Sequence, residues 1–191
     1  MKVALSMGVQ LMVRADKASS GVIFTLDPDS GFRNVVVVTG AWGLGENVVQ
    51  GTVNVDEFCI FKPALEKNAR QPIIYRRLGS KEKMMVYAPA RKSKKQVAST
   101  QNLATPFIKR NKFIISDKEA ETLARWALII EKYYKRPMYS EWAKYGLTGN
   151  LFRVQARPET IYINKKNPTS LKAYKLKNEG VVICKGIGLG N

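Results

Sequence analysis

The chain is 191 residues long, 45% hydrophobic, with a formal net charge of +17, two cysteines and no histidine. The length suits one domain with at most a short piece of a second, and the apolar fraction suffices for a core, which excludes a disordered chain. Without histidine, no Ser-His-Asp or Cys-His nucleophile can be assembled, and Cys59 and Cys184 leave too few soft ligands for a structural zinc site.

In chain order, the opening MKVALSMGVQLMVRAD imitates a signal peptide, but Ser6 and Gln10 interrupt its apolar stretch and no A-x-A site follows. It reads as a buried strand from Val3. SGVIFTL from Ser20 predicts another strand, closed by the turn Asp27-Pro28-Asp29-Ser30-Gly31. NVVVVTG from Asn34 is a continuous apolar run, the signature of a buried strand, and leads into the glycine-rich GAWGLGENVVQG. DEFCIF from Asp56 and PIIYRR from Pro72 are further strands. The polar stretch from Lys81 to Arg110 predicts a hairpin and a long loop.

Ser116 and Glu119 form a capping box. Leu123, Trp126, Ala127, Ile130 and Tyr134 then recur at helical spacing, and Pro137 marks the stop. YSEWA and NLFRVQAR are two strands joined by a turn at Thr148-Gly149-Asn150. Residues 164–177, rich in Lys, Asn, Pro and Ser, read as a linker, and 178–191 begin something new.

No apolar run reaches the roughly eighteen residues of a membrane span. The two distant cysteines fit reduced thiols, so a cytoplasmic protein is expected. The positive charge invites a nucleic-acid reading, but the lysines are spread along the chain. The densest group, Arg91, Lys92, Lys94 and Lys95, is not interleaved with stacking aromatics, so a solvated basic surface is the simpler reading.

Alternation in NLFRVQAR puts Phe152, Val154 and Ala156 on one face, toward a core, and Arg153, Gln155 and Arg157 on the other, with Glu141 on the neighbouring strand. A carboxylate, a carboxamide oxygen and a guanidinium on one sheet face suit a magnesium-bound polyphosphate. A sheet with one ordinary solvated face gives the same pattern. The glycine-rich segment is neither a Walker A loop, lacking Gly-Lys-Ser/Thr, nor a full G-x-G-x-x-G, since Val48 stands at the third glycine. Alone it reads as a tight turn, and its Glu46 as a surface acid.

Three segments in order, GVQLMVRADKASSGVIFTLDPDSGF, GLGENVVQGTVNVDEF and RPMYSEWAKYGLTGNLFRVQARPET, closely resemble the phosphoenolpyruvate synthase (pyruvate, water dikinase) family, and GSKEKMMVYAP from Gly79 is similar to it too. QARPET from Gln155 favours this family over pyruvate phosphate dikinase and over rifampin-type phosphotransferases. The resemblance implies an α+β fold: residues 1–163 as the later portion of an ATP-grasp domain with a mainly antiparallel sheet, 164–177 as linker, and 178–191 as the first strand of a swivelling phosphohistidine domain. It implies ATP as substrate and Mg²⁺ as cofactor, with Glu46, Glu141, Gln155 and Arg157 at ATP-binding positions and Glu141 and Gln155 toward the metal. Pyruvate would be met only through other domains, which separate chains could supply. No catalytic residue is expected within this chain, because the phosphate-carrying histidine is absent.

Two departures stand out. At the family's M-D-I-E-W this chain reads Met138-Tyr139-Ser140-Glu141-Trp142, so Tyr139 replaces an acid, and Tyr133 stands where histidine is common. The alternatives are a non-catalytic relic or ATP-binding module of the same family and a basic nucleic-acid-binding protein.

Overall fold

The computed structural model describes residues 7–89 and 99–160. Six strands form one sheet in the order β4-β3-β2-β1-β7-β8, with β1 at Ser19–Phe24, β2 at Val35–Trp42, β3 at Asp56–Phe61, β4 at Ile73–Arg77, β7 at Met138–Lys144 and β8 at Leu151–Pro158. Every neighbouring pair is antiparallel. A separate hairpin pairs β5 (Lys83–Tyr87) with β6 (Thr100–Ala104). Short helices α1 (Glu46–Val49), α2 (Lys62–Glu66) and α3 (Phe107–Arg110) sit in connections, and α4 (Asp117–Tyr134) is the one long helix among the described residues.

The valine run of β2 lies in the sheet interior, where β-branched side chains pack well on a pleated surface. Residues paired across strands share a face. One face presents Ile23, Val36, Val38, Phe58, Ile60 and Trp142, closed by Ala120, Leu123, Ala124, Ala127 and Leu128 of α4. Gly21 lies opposite both Gly40 and Trp142, and a Cβ at Gly21 would sit 1.9 Å from the Thr39 carbonyl oxygen. This close approach admits the Trp142 indole, whose Nε1 donates to that same carbonyl at 3.1 Å.

Ser116 caps α4 as expected, its hydroxyl accepting from the Glu119 amide while the Glu119 carboxylate accepts from the Ser116 amide. The helix ends at Tyr134 because Lys135 turns left-handed (φ 53°), two residues ahead of Pro137. Ion pairs Lys62–Glu131 (2.7 Å) and Lys132–Glu66 (2.8 Å) tie it to α2. Under its N-terminal approach lies a fully buried ion pair between Lys81 and Asp56. The Asp56 carboxylate also accepts from the backbone amides of Gly79 (2.8 Å) and Ile114 (2.9 Å). One buried carboxylate therefore joins β3, the entry to β5 and the entry to α4.

The structure corrects four expectations. Residues 7–14 form no strand, and Met7, Val9 and Leu11 are exposed rather than buried. A strand needs a partner edge, and none pairs with this segment among the described residues. The buried face of α4 is rotated: Ala120, Ala124 and Leu128 join Leu123 and Ala127, while Trp126 is half-buried and Tyr134 exposed. The first three residues of the glycine-rich segment, Gly40 to Trp42, belong to β2. The fourth concerns β8 and is described below. Cys59 is a free thiol whose pKa is pushed up to about 11, by its burial first and by Asp27 and Glu57 next, which favours the thiol over the nucleophilic thiolate. Cys184, the linker at 164–177 and the segment 178–191 lie outside the described residues, as do Arg91, Lys92, Lys94 and Lys95.

Candidate functional site

On the sheet face away from α4, β7 and β8 place Glu141 directly opposite Gln155 and Tyr139 directly opposite Arg157. Alternation brings all four to one side. The register then slips: Trp142 pairs with Arg153, so Val154 is an extra residue and β8 is bulged there. A bulge reverses the facing of everything beyond it. Arg153 is thereby moved to the α4 side beside Trp142, away from Gln155 and Arg157. Phe152 and Val154, expected in the core, are 42% and 41% exposed, and Ala156 is exposed too. No hydrogen-bond partner reaches the buried guanidinium nitrogens of Arg153 among the described residues, and burial pulls its pKa down to about 10.

Around Tyr139 the contacts are specific. Its ring packs edge-on against Phe24 at 5.3 Å, and the Arg157 guanidinium lies over the same ring at 4.2 Å from the centroid. Its hydroxyl donates to Glu141 Oε1 at 3.2 Å. Burial first, and the Glu141 charge second, push the Tyr139 phenol above its usual value.

Two adjoining hollows open on this face. One, of about 400 Å³, is lined by Val22, Phe24, Val53, Tyr139 and Arg157 among others. The second, of about 410 Å³, is lined by Ser20, Gly45, Glu46, Glu141 and Val154, and Val49 borders both. The structure thus brings Glu46 and Glu141 to one hollow and Arg157 to its neighbour. Gln155 is exposed opposite Glu141 and lines neither.

The turn at Gly43 and Leu44 in the glycine-rich segment is tied down by residues outside it. The Gly43 amide donates to Ala18 O (3.0 Å) and the Leu44 amide to Met85 O (2.9 Å), while the Ser20 hydroxyl donates to Gly43 O at 2.6 Å. Gly43 has φ +86°, and a Cβ there would stand 2.3 Å from Met85 O, so only glycine fits. The segment's contribution to the face is Glu46, exposed at the start of α1, where its carboxylate accepts from Gln50 Nε2 at 3.0 Å.

As oxygen donors, Glu141 and Gln155 fit one side of a magnesium ion. No group of three or more acidic, histidine or cysteine side chains suited to a metal occurs among the described residues, and water or phosphate oxygens would fill the rest of such a shell. Sequence reasoning nominated Glu46, Glu141, Gln155 and Arg157, of which the structure sets Glu46 and Glu141 on one hollow, Arg157 on its neighbour and Gln155 on neither. It missed Tyr139 as the shared contact of Glu141 and Arg157, although an aromatic two residues before an acid on a strand signals a shared face.

The family model of the pyruvate phosphate dikinase AMP/ATP-binding domain matches residues 1–178. The chain is 48% identical to the phosphoenolpyruvate synthase of Helicobacter pylori over 202 residues, covering 100% of this chain and 24% of that relative. It is 49% identical to the phosphoenolpyruvate synthase of Escherichia coli, covering 99% of this chain and 23% of the relative, and 42% identical to that of Aquifex aeolicus, covering 100% and 22%. The chain therefore spans about a quarter of the length of these relatives.

Proposed function

The chain belongs to the pyruvate phosphate dikinase AMP/ATP-binding domain family, and from that premise we propose that it supplies the phosphate- and metal-facing wall of an ATP-grasp nucleotide site in a phosphoenolpyruvate synthase. The observation that carries the reading is the in-register pairing of Glu141 with Gln155 and Tyr139 with Arg157 on one sheet face. Arg157 would neutralise phosphate charge, as a guanidinium does through paired hydrogen bonds. Glu141 and Gln155 would hold Mg²⁺, which draws charge from the phosphate oxygens when bound. Glu46, facing the same hollow as Glu141, would contact the nucleotide or its ion.

The reaction served is transfer of a phosphoryl group from ATP through a phosphohistidine to pyruvate, with AMP and phosphate released. This sequence has no histidine, so the carrier and the pyruvate site would belong to other parts of the enzyme, and the chain alone makes no phosphoenolpyruvate. A cytoplasmic setting is part of the same proposal, and no described helix is long and apolar enough to cross a membrane.

Titrating the 191-residue chain with Mg-ATP by calorimetry and NMR tests the reading. Arg157→Ala should weaken binding by about 1.5–3 kcal/mol, the scale of a hydrogen bond to a charged group. Lys118→Ala, on the exposed start of α4, should change it little. Equal small losses in both variants would mean that ATP is only drawn to a surface of net charge +17.

A further inference from the structure

Tyr139 is one of the two positions at which this chain departs from the resemblance, and it touches both Glu141 and Arg157 of the proposed site. Tyr139 is 7% exposed, and its ring is held by Phe24, the residue paired with it on β1. From that fixed ring it reaches Arg157 through the aromatic face (4.2 Å) and Glu141 through the hydroxyl (3.2 Å). An acid here would act differently. It would draw the Arg157 charge onto itself and place a second carboxylate beside Glu141.

We propose that Tyr139 is a positioning residue that holds the Arg157 guanidinium over the hollow while leaving its charge free for phosphate, and that orients the single carboxylate of Glu141. This rests on the nucleotide reading above. A guanidinium over an aromatic face keeps its full charge and its N–H donors, and the contact is favourable. The hydroxyl occupies one Glu141 oxygen and leaves the other for a cation. The consequence is specificity for a polyphosphate gripped mainly through arginine, with a smaller share carried by the divalent ion than a two-acid site would give.

Two variants separate the ring from the hydroxyl. In Tyr139→Leu the ring is lost, and affinity for ATP in EDTA should fall about threefold to tenfold, the scale of a partly desolvated cation–π contact. In Tyr139→Phe the ring stays, so affinity in EDTA should remain within about twofold, while the gain on adding Mg²⁺ should change by about threefold through the loss of one hydrogen bond to Glu141. In the ligand-free chain, the Arg157 side-chain protons should be shifted upfield by the ring in wild type and Tyr139→Phe, and not in Tyr139→Leu. Thermal melting of both variants confirms the fold, and Tyr139→Phe, which keeps the Phe24 contact, serves if Tyr139→Leu does not fold. A wild type that binds ATP, with both variants binding identically or with unshifted Arg157 protons, overturns this inference alone. A wild type that binds no ATP with or without Mg²⁺ overturns the nucleotide reading and this inference with it.

Discussion

The two faces of the six-stranded sheet are built from the same strands and finished in opposite ways. The face under α4 is closed by an eighteen-residue helix and carries Ile23, Val36, Val38, Phe58 and Ile60 at 3% exposure or less. The opposite face is covered by α1, four residues long, and keeps two hollows bordered by Glu46, Glu141 and Arg157. A closed apolar face supplies stability, and the strand alternation it fixes then presents charged side chains on the other face in a set register. Substitutions on the first face should cost folding energy. Those at exposed positions on the second should alter ligand contacts and leave folding nearly untouched.

The sharpest test of that division is Asp56, on the closed side. Asp56→Ala leaves Lys81 fully buried with its ion-pair partner removed, and strips acceptors from the Gly79 and Ile114 amides. We expect a loss of about 3–5 kcal/mol in urea unfolding, the cost of breaking one side of a buried pair. A loss under about 1 kcal/mol would show that water reaches Lys81. Next comes a pair of truncations. Leu123→Ala, at 0% exposure under the sheet, should lose about 2–5 kcal/mol. Val49→Ala, 53% exposed on α1, should stay within about 0.5 kcal/mol. Comparable losses at both sites would erase the contrast between the faces.

The pH dependence of α4 gives a smaller effect. Burial pushes the Glu119 carboxyl up, but the Lys144 ammonium and the Ser116 cap outweigh it and leave the group below its ordinary value. A depressed carboxyl adds stability above its unfolded pKa, near 4.5, and that contribution disappears as pH falls through the folded value. Glu119→Gln should therefore be less stable than wild type at pH 7, by about the 1 kcal/mol scale of a helix cap, and the two should converge in acid. Unfolding midpoints at several pH values decide it, and a gap that persists at pH 3 would contradict the assignment.

Much of this division was legible beforehand. The valine run of β2, the capping box at Ser116 and Glu119, and the strand-turn-strand through Thr148-Gly149-Asn150 each rest on local chemistry, and all three formed where expected. What was not legible depended on partners distant in sequence. Residues 7–14 have strand composition, yet composition cannot supply an edge to pair with. Whether Gly43 and Leu44 have free amides depends on Ala18 and Met85, which nothing within the glycine-rich segment reveals. The Asp56–Lys81 pair joins residues that read as an ordinary strand start and an ordinary surface lysine. In β8, a single extra residue moved Arg153, one of the three residues of the expected polar face, to the other side.

That extra residue leads to the prediction with the smallest expected effect and an unusual sign. Arg153 sits on the closed face because of the bulge at Val154, with its guanidinium nitrogens buried and without a hydrogen-bond partner among the described residues. Holding a charge there carries a desolvation cost that no described neighbour offsets, and the same cost lowers its pKa to about 10. Arg153→Met keeps the unbranched stem that packs beside Trp142 and removes the charge. We expect urea unfolding to show a change between zero and about 1 kcal/mol in the stabilising direction, because apolar replacements of buried charge are often neutral or better. Mg-ATP affinity should be unaltered, since Arg153 faces away from Glu141 and Arg157. Arg157→Met makes the matched control on the open face: the same chemical change should leave stability nearly constant and weaken Mg-ATP. A destabilisation above about 1.5 kcal/mol in Arg153→Met would contradict the reading of its guanidinium as a buried charge without a partner.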